Sequence, residues 1–74
     1  MIGYTLHLQQ RNRKADKRKL GVRLGKHCIN SGIPVIDLVE KLGVSRQTVY
    51  SWFCGIHEPG PSQRARINEL FPTL

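Results

Sequence analysis

The chain is poor in acid, in cysteine and in long apolar runs, and each shortage removes a class of function. Its 74 residues hold five Asp and Glu against twelve Lys and Arg, a formal charge of +7, so the partner that charge favours is a polyanion. Cys28 and Cys54 form no Cys-x-x-Cys pair, and His7, His27 and His57 form no His-x-x-x-His. No turn of chain therefore offers two zinc ligands, and no metal or cofactor is expected. No apolar run suits a membrane span or a signal peptide, which makes a reducing cytoplasm the expected compartment. Serine, histidine and acidic residues are too few and scattered for a catalytic constellation, and a small helical scaffold leaves little room for a pocket. Neither an enzyme nor a small-molecule ligand is expected. A chain of this length makes one domain, burying about 60% of the surface its unfolded form exposes. It contains no internal repeat and no low-complexity segment.

The charge is unevenly placed. Eight of the Lys and Arg lie in residues 1 to 26 beside the single Asp16, whereas from His27 to Leu74 four basic residues meet four acidic ones. Arg11, Arg13, Lys14, Lys17, Arg18 and Lys19 are the densest point. Phosphate contact suits such a cluster, and charge alone leaves open a solubilising tail or a membrane-surface patch.

Residues 1 to 8 alternate apolar and polar, with Ile2, Tyr4, Leu6 and Leu8 on one side. This is strand periodicity within an N-terminal arm spanning residues 1–15. A lone strand needs a partner, and the same strand of a second subunit across a two-fold axis would supply one. A disordered arm and an extension of the following helix are the competing readings.

Residues 16–74 read as a small all-helical bundle. Asp16 suits the N-cap of a first helix running to about Ser31, with Leu20, Leu24 and Cys28 along its inner stripe and Gly32 at its end. Gly21 and Gly25 each cost that helix about 1 kcal/mol relative to Ala, and either a close neighbour, another helix or a phosphate backbone, needs the side chains to be missing or packing tolerates them. Pro34 suits the first turn of the next helix, with Leu38, Val39 and Leu42 as core candidates. Gly43 can end that helix in the left-handed conformation, and Ser45 can cap another over residues 45–54. In the latter, Val49, Trp52 and Phe53 fall at i, i+3, i+4 and point inward. Arg46, Gln47, Tyr50 and Ser51 share the solvated side, and all four can bond base edges. Gly55 and the breaker-rich Ile56–Gly60 follow, then a last helix from Pro61 or Ser62 with Ile67, Leu70 and Phe71 inward and Pro72 closing it.

With these positions in place, the chain resembles the Cro/C1-type (XRE, lambda-repressor-like) helix-turn-helix family, which includes phage repressors and Cro proteins. The likeness covers about residues 17–71. It rests on Leu42-Gly43-Val44-Ser45, Thr48-Val49, Trp52 and Gly55, with the Leu20–Leu24 segment LGxRL and Gly32-Ile33. The resemblance implies a lambda-repressor-like bundle of four to five helices, with helix 45–54 lying in the major groove. Carried over by position, Ser45, Arg46, Gln47, Tyr50 and Ser51 face the bases. Arg46 can bond guanine and Gln47 adenine in bidentate fashion, each discriminating by about 1–3 kcal/mol. Thr48, Arg23, Lys26, Arg11, Arg13, Lys14 and His57 are the expected phosphate contacts.

Three departures qualify the likeness. Family members commonly grip phosphate with Gln at the first turn of the helix before the reading helix, where this chain has Val35; Lys26, Arg23 or the basic N-terminal stretch would have to replace it. Many pair an Arg with a Glu at the positions held here by Cys28 and Phe53. A thiol packed on a ring substitutes for such a buried ion pair at little cost, which makes Cys28 a core residue. Many continue into a further dimerisation helix where this sequence ends at Leu74. The expected contact of a homodimer therefore moves to the N-terminal strand or to Phe71 with Leu74, and monomeric binding stays open.

The function these signals imply is a sequence-specific regulator of double-stranded DNA, a Cro-like phage or prophage repressor. It would be nucleoid-associated, in a bacterium or phage-infected host. Two other classes remain open: a nonspecific nucleic-acid-binding accessory protein, and an antitoxin or adaptor that uses the bundle to bind protein.

Overall fold

The segment from Leu6 to Lys14 is helical. The computed structural model of the protein describes residues 4–74, and within them Thr5 accepts a hydrogen bond from the Leu8 amide at 3.1 Å and caps helix α1, Leu6–Lys14. Over residues 4–8 the expected strand does not form, because the inward residues follow a spacing of four: Tyr4 and Asn12 are buried, and Leu8 packs on the core between them. Strand alternation would put Leu6 on the same side as Tyr4, yet Leu6 is 67% exposed and Tyr4 is 8% exposed. Ile2, the other residue of that alternation, lies outside the described residues. The subunit contact built on pairing this strand with its copy loses its basis for residues 4–14.

Asp16 caps no helix. Its carboxylate accepts from the Arg18 amide at 2.9 Å and from the Arg18 side chain at 3.1 Å, closing a turn in which the Lys19 amide bonds the Asp16 carbonyl. Those side-chain bonds hold the Asp16 carboxyl below its ordinary value. Helix α2, Leu20–Ser31, begins after Lys19, four residues beyond the expected cap. Its inner stripe of Leu20, Leu24 and Cys28 is buried as expected, and Gly32 ends it at φ 73°.

Helix α3, Val35–Leu42, starts one residue after Pro34, which itself holds the N-cap position. Gly43 closes α3 at φ 67°, a left-handed conformation that costs a side chain about 1–2 kcal/mol and glycine almost nothing. Two residues on, the Ser45 hydroxyl accepts from the Thr48 amide at 3.2 Å and opens helix α4, Arg46–Phe53. Helix α5, Pro61–Leu70, carries Pro61 in its first turn and brings Ile67 into the interior. Among the described residues the protein is thus an all-helical domain of five helices without a strand.

The core lies between α2 and α4, with α3 and α5 closing one side and α1 resting on α2. Phe53, Leu24, Leu38, Ile67, Val49 and Cys28 are fully buried in it. The crossing of α2 over α4 explains both mid-helix glycines. A Cβ on Gly21 would stand 2.7 Å from the Trp52 Cβ and carbonyl oxygen; one on Gly25 would stand 2.5 Å from the Asn12 amide nitrogen and 2.8 Å from the Phe53 ring. The neighbour that excludes their side chains is protein. Burial pushes the Cys28 thiol up to about 12, with the Asp37 charge adding to the shift, as suits a packed and unreactive thiol.

Candidate nucleic-acid interface

Of the residues expected to read bases, Ser45, Gln47 and Ser51 lie together on one side of α4, with Tyr50 and Arg46 beside them. Val49, Trp52 and Phe53 take the buried side, so at 100° per residue Gln47, Ser51 and Cys54 point most directly away from the core. Ser45, Arg46 and Gln47 are exposed, while Tyr50 and Ser51 are half-buried. The Ser45 and Thr48 hydroxyls lie 3.0 Å apart at the start of the helix, where amide groups point outward and favour anions. A shallow recess joins Ser45, Gln47, Thr48, Ser51 and His57, which brings His57 from the following loop to the edge of the same surface. Three of the residues assigned to bases, Ser45, Gln47 and Ser51, and two assigned to phosphate, Thr48 and His57, thus share one continuous face with Tyr50 beside it. Arg46 lies at its far edge, around a recess shared with Val35, Ile36, Tyr4 and Tyr50.

The basic residues of α1 divide between two surfaces. Arg11 lines a cleft with Gln47, Tyr50 and Ser51 and so stands next to the outer face of α4. Lys14 follows three positions on and His7 precedes by four, which places all three along one flank of α1. Arg13 lies on the other flank, in a polar recess with Lys26, Gln9, Asn12, Ile29 and Asn30. Arg23, exposed on α2 three positions before Lys26, lines neither hollow. The phosphate set read from the sequence therefore splits into Arg11, Thr48 and His57 against the outer face of α4, and Arg13 with Lys26 between α1 and α2.

Three side chains that sequence reading did not single out for this role, Tyr4, Asn12 and Lys19, hold α1 and its turn in place through four hydrogen bonds. Asn12, 2% exposed, donates from its amide to the Phe53 carbonyl at 2.7 Å and the Val22 carbonyl at 3.2 Å. The first satisfies the last carbonyl of α4, a group that helix geometry leaves without a partner. Lys19 donates its ammonium to the Gly55 carbonyl at 2.8 Å, and the Tyr4 hydroxyl donates to the Ile33 carbonyl at 2.7 Å. The Tyr4 ring packs 5.8 Å from that of Phe53, and burial raises its phenol above the ordinary range. The one available signal was Tyr4-Leu8-Asn12 at helical spacing, which the alternation of Tyr4, Leu6 and Leu8 masked.

Among the described residues no group of three His, Cys, Asp or Glu lies together in a way that could hold a metal ion, and no helix is long and apolar enough to cross a membrane. Comparison with protein-family models, with curated proteins and with solved structures finds no match.

Proposed function

We propose that the protein is a sequence-specific DNA-binding regulator of the Cro-like repressor kind, working in the cytoplasm of a bacterium or phage-infected cell. One observation carries the reading: α4 turns a continuous polar surface of Ser45, Gln47, Thr48, Ser51 and His57 outward, with Arg11 of α1 beside it. Helix α4 enters the major groove, where Arg46 and Gln47 reach base edges and Tyr50 and Ser51 complete the readout. Because the groove is about 12 Å wide and a helix with side chains about 10–12 Å across, α1 does not enter with α4. It lies over the flanking backbone, where the flank of His7, Arg11 and Lys14 meets phosphate and takes the place of the anchor missing at Val35. Repression follows from occupancy of the promoter.

Two copies would read half-sites about 34 Å apart. With residues 6–14 folded into α1, the surface left for the dimer contact is that of Phe71 and Leu74, both only partly covered against the core. Selecting bound sequences from a random DNA pool tests specificity and symmetry together, and a palindromic motif is expected. Arg46→Ala should relax the choice at one base pair of each half-site; equal weakening on every sequence would overturn the assignment of Arg46 to bases. A second reading, nonspecific nucleic-acid binding, draws support from Arg13 and Lys26, which form a cationic recess apart from the α4 face. It predicts that the pool yields no motif.

A further inference from the structure

The cleft between α1 and α4 sets apolar side chains beside Gln47, Tyr50 and Ser51, the residues proposed to read bases. Leu8, Tyr50, Cys54 and Ile56 give it an apolar lining, although a surface meant only for DNA would gain from a polar one there. Ile56, 55% exposed, is among the few large apolar side chains in this fold that stand open to solvent. Arg11 stands among these residues, and among the described residues it has no carboxylate or hydrogen-bond partner; no acidic side chain lines the cleft. The volume, about 310 Å³, is at the lower end of the range of small-molecule sites, roughly 300–1,000 Å³.

From this pairing of an apolar lining with one uncompensated guanidinium, we infer that the cleft binds a small amphipathic anion, an apolar body carrying a carboxylate, and that the bound anion displaces DNA. The body seats against Leu8, Tyr50 and Ile56, and the carboxylate meets Arg11 in a charge-assisted pair. Displacement follows from position, since Gln47, Tyr50 and Ser51 line the cleft and are also residues proposed to read bases. The displacement rests on the DNA-binding reading, whereas the anion site stands without it. The protein would then release its operator when the anion accumulates, by direct competition for one surface.

Cys54 gives a readout independent of DNA. It lines the cleft and is half-buried, whereas Cys28 is fully buried and serves as the internal control for unfolding. Naphthoate is the probe and its uncharged counterpart, naphthylmethanol, the comparison. At ten times its dissociation constant, naphthoate should slow alkylation of Cys54 by iodoacetamide about tenfold. Arg11→Gln, on an exposed side chain that leaves the thermal midpoint unchanged, should weaken naphthoate roughly five- to tenfold and leave the alcohol unaffected. No protection by naphthoate, or protection that Arg11→Gln leaves intact, overturns the site. Adding naphthoate to a complex with the selected DNA should release it. Protection of Cys54 without release keeps the anion site and overturns its competition with DNA, and a pool that yields no motif overturns the proposed function and the displacement with it, leaving the anion site to stand or fall on Cys54.

Discussion

The α3–α4 pair and the α1 segment are built on opposite plans. The pair is bounded by groups a few positions apart, Gly43 at the end of one helix and Ser45 capping the next through Thr48, and its own charge is zero, with Asp37 and Glu40 against Lys41 and Arg46. Helix α1 carries Arg11, Arg13 and Lys14 without an acid, and its segment is held by bonds that span 29, 36 and 41 residues, from Tyr4, Lys19 and Asn12. All three end on backbone carbonyls, at Ile33, Gly55 and Phe53. The difference separates two properties that the proposed DNA-binding surface needs. Local chemistry shapes α4, and a few long-range polar bonds place charge beside it.

Phe53 is the point at which the two plans meet, and its loss should have the largest effect. It is fully buried, faces the Tyr4 ring and closes over Gly25. Phe53→Ala should cost about 3–5 kcal/mol, against a total stability of about 4–11 kcal/mol for a chain of this size. Urea unfolding followed both by Trp52 fluorescence and by helical circular dichroism should give coincident transitions at a much lower midpoint. Retention of the native midpoint would mean that the core is divided.

Asn12→Ala comes next and separates the regions. Removing its amide leaves the buried Phe53 carbonyl without that donor and should cost about 2–3 kcal/mol. Amide hydrogen exchange should quicken through α1 while α3 and α4 keep their protection. On the proposed reading, DNA affinity should fall and its salt dependence become shallower, because α1 would no longer hold Arg11 and Lys14 in place beside phosphate. Equal loss of protection in every helix would end the two-plan comparison.

How far each region was legible follows from the same division. Gly43, Ser45 and the inward set Val49, Trp52 and Phe53 announce themselves within one or two turns of helix, so the α3–α4 pair and its outward residues could be read in advance. Asn12 could not, because its partners lie 10 and 41 positions away and an asparagine in a basic run looks solvated. Asp16 misled for a local reason. A carboxylate that accepts an amide two residues on makes an isolated turn as readily as it caps a helix, and here Arg18 secured the turn. The cleft beside α4 was hidden for the same cause as Asn12, since it exists only once α1 has docked.

Alkali should act on the α1 side and on the core together. Cys28 and Tyr4 both have raised values in the folded chain, so as pH rises the unfolded chain gives up these protons first. The stability they contribute is complete below the ordinary thiol value of 9.0 and drains away as pH climbs toward about 12. The urea midpoint should therefore decline steadily above pH 9, and less steeply in Tyr4→Phe, which has no phenol proton to lose. A decline equally steep in that variant would place the titrating groups elsewhere.

The smallest effect, and the cleanest test of local construction, is expected at Ser45. Its hydroxyl satisfies one amide of α4 and touches nothing of α1, so Ser45→Ala should cost about 1 kcal/mol and Ser45→Asp should restore most of it. Exchange should quicken only in the first turn of α4, with α1 unchanged. The two substitutions differ on DNA, because aspartate caps the helix as well as serine does but sets a negative charge where phosphate would lie. Stability recovered by Ser45→Asp without DNA affinity would assign the Ser45 end of α4 to the nucleic acid. Recovery of both would leave Ser45 as a cap alone and move the contact surface toward Gln47, Ser51 and the α1 flank.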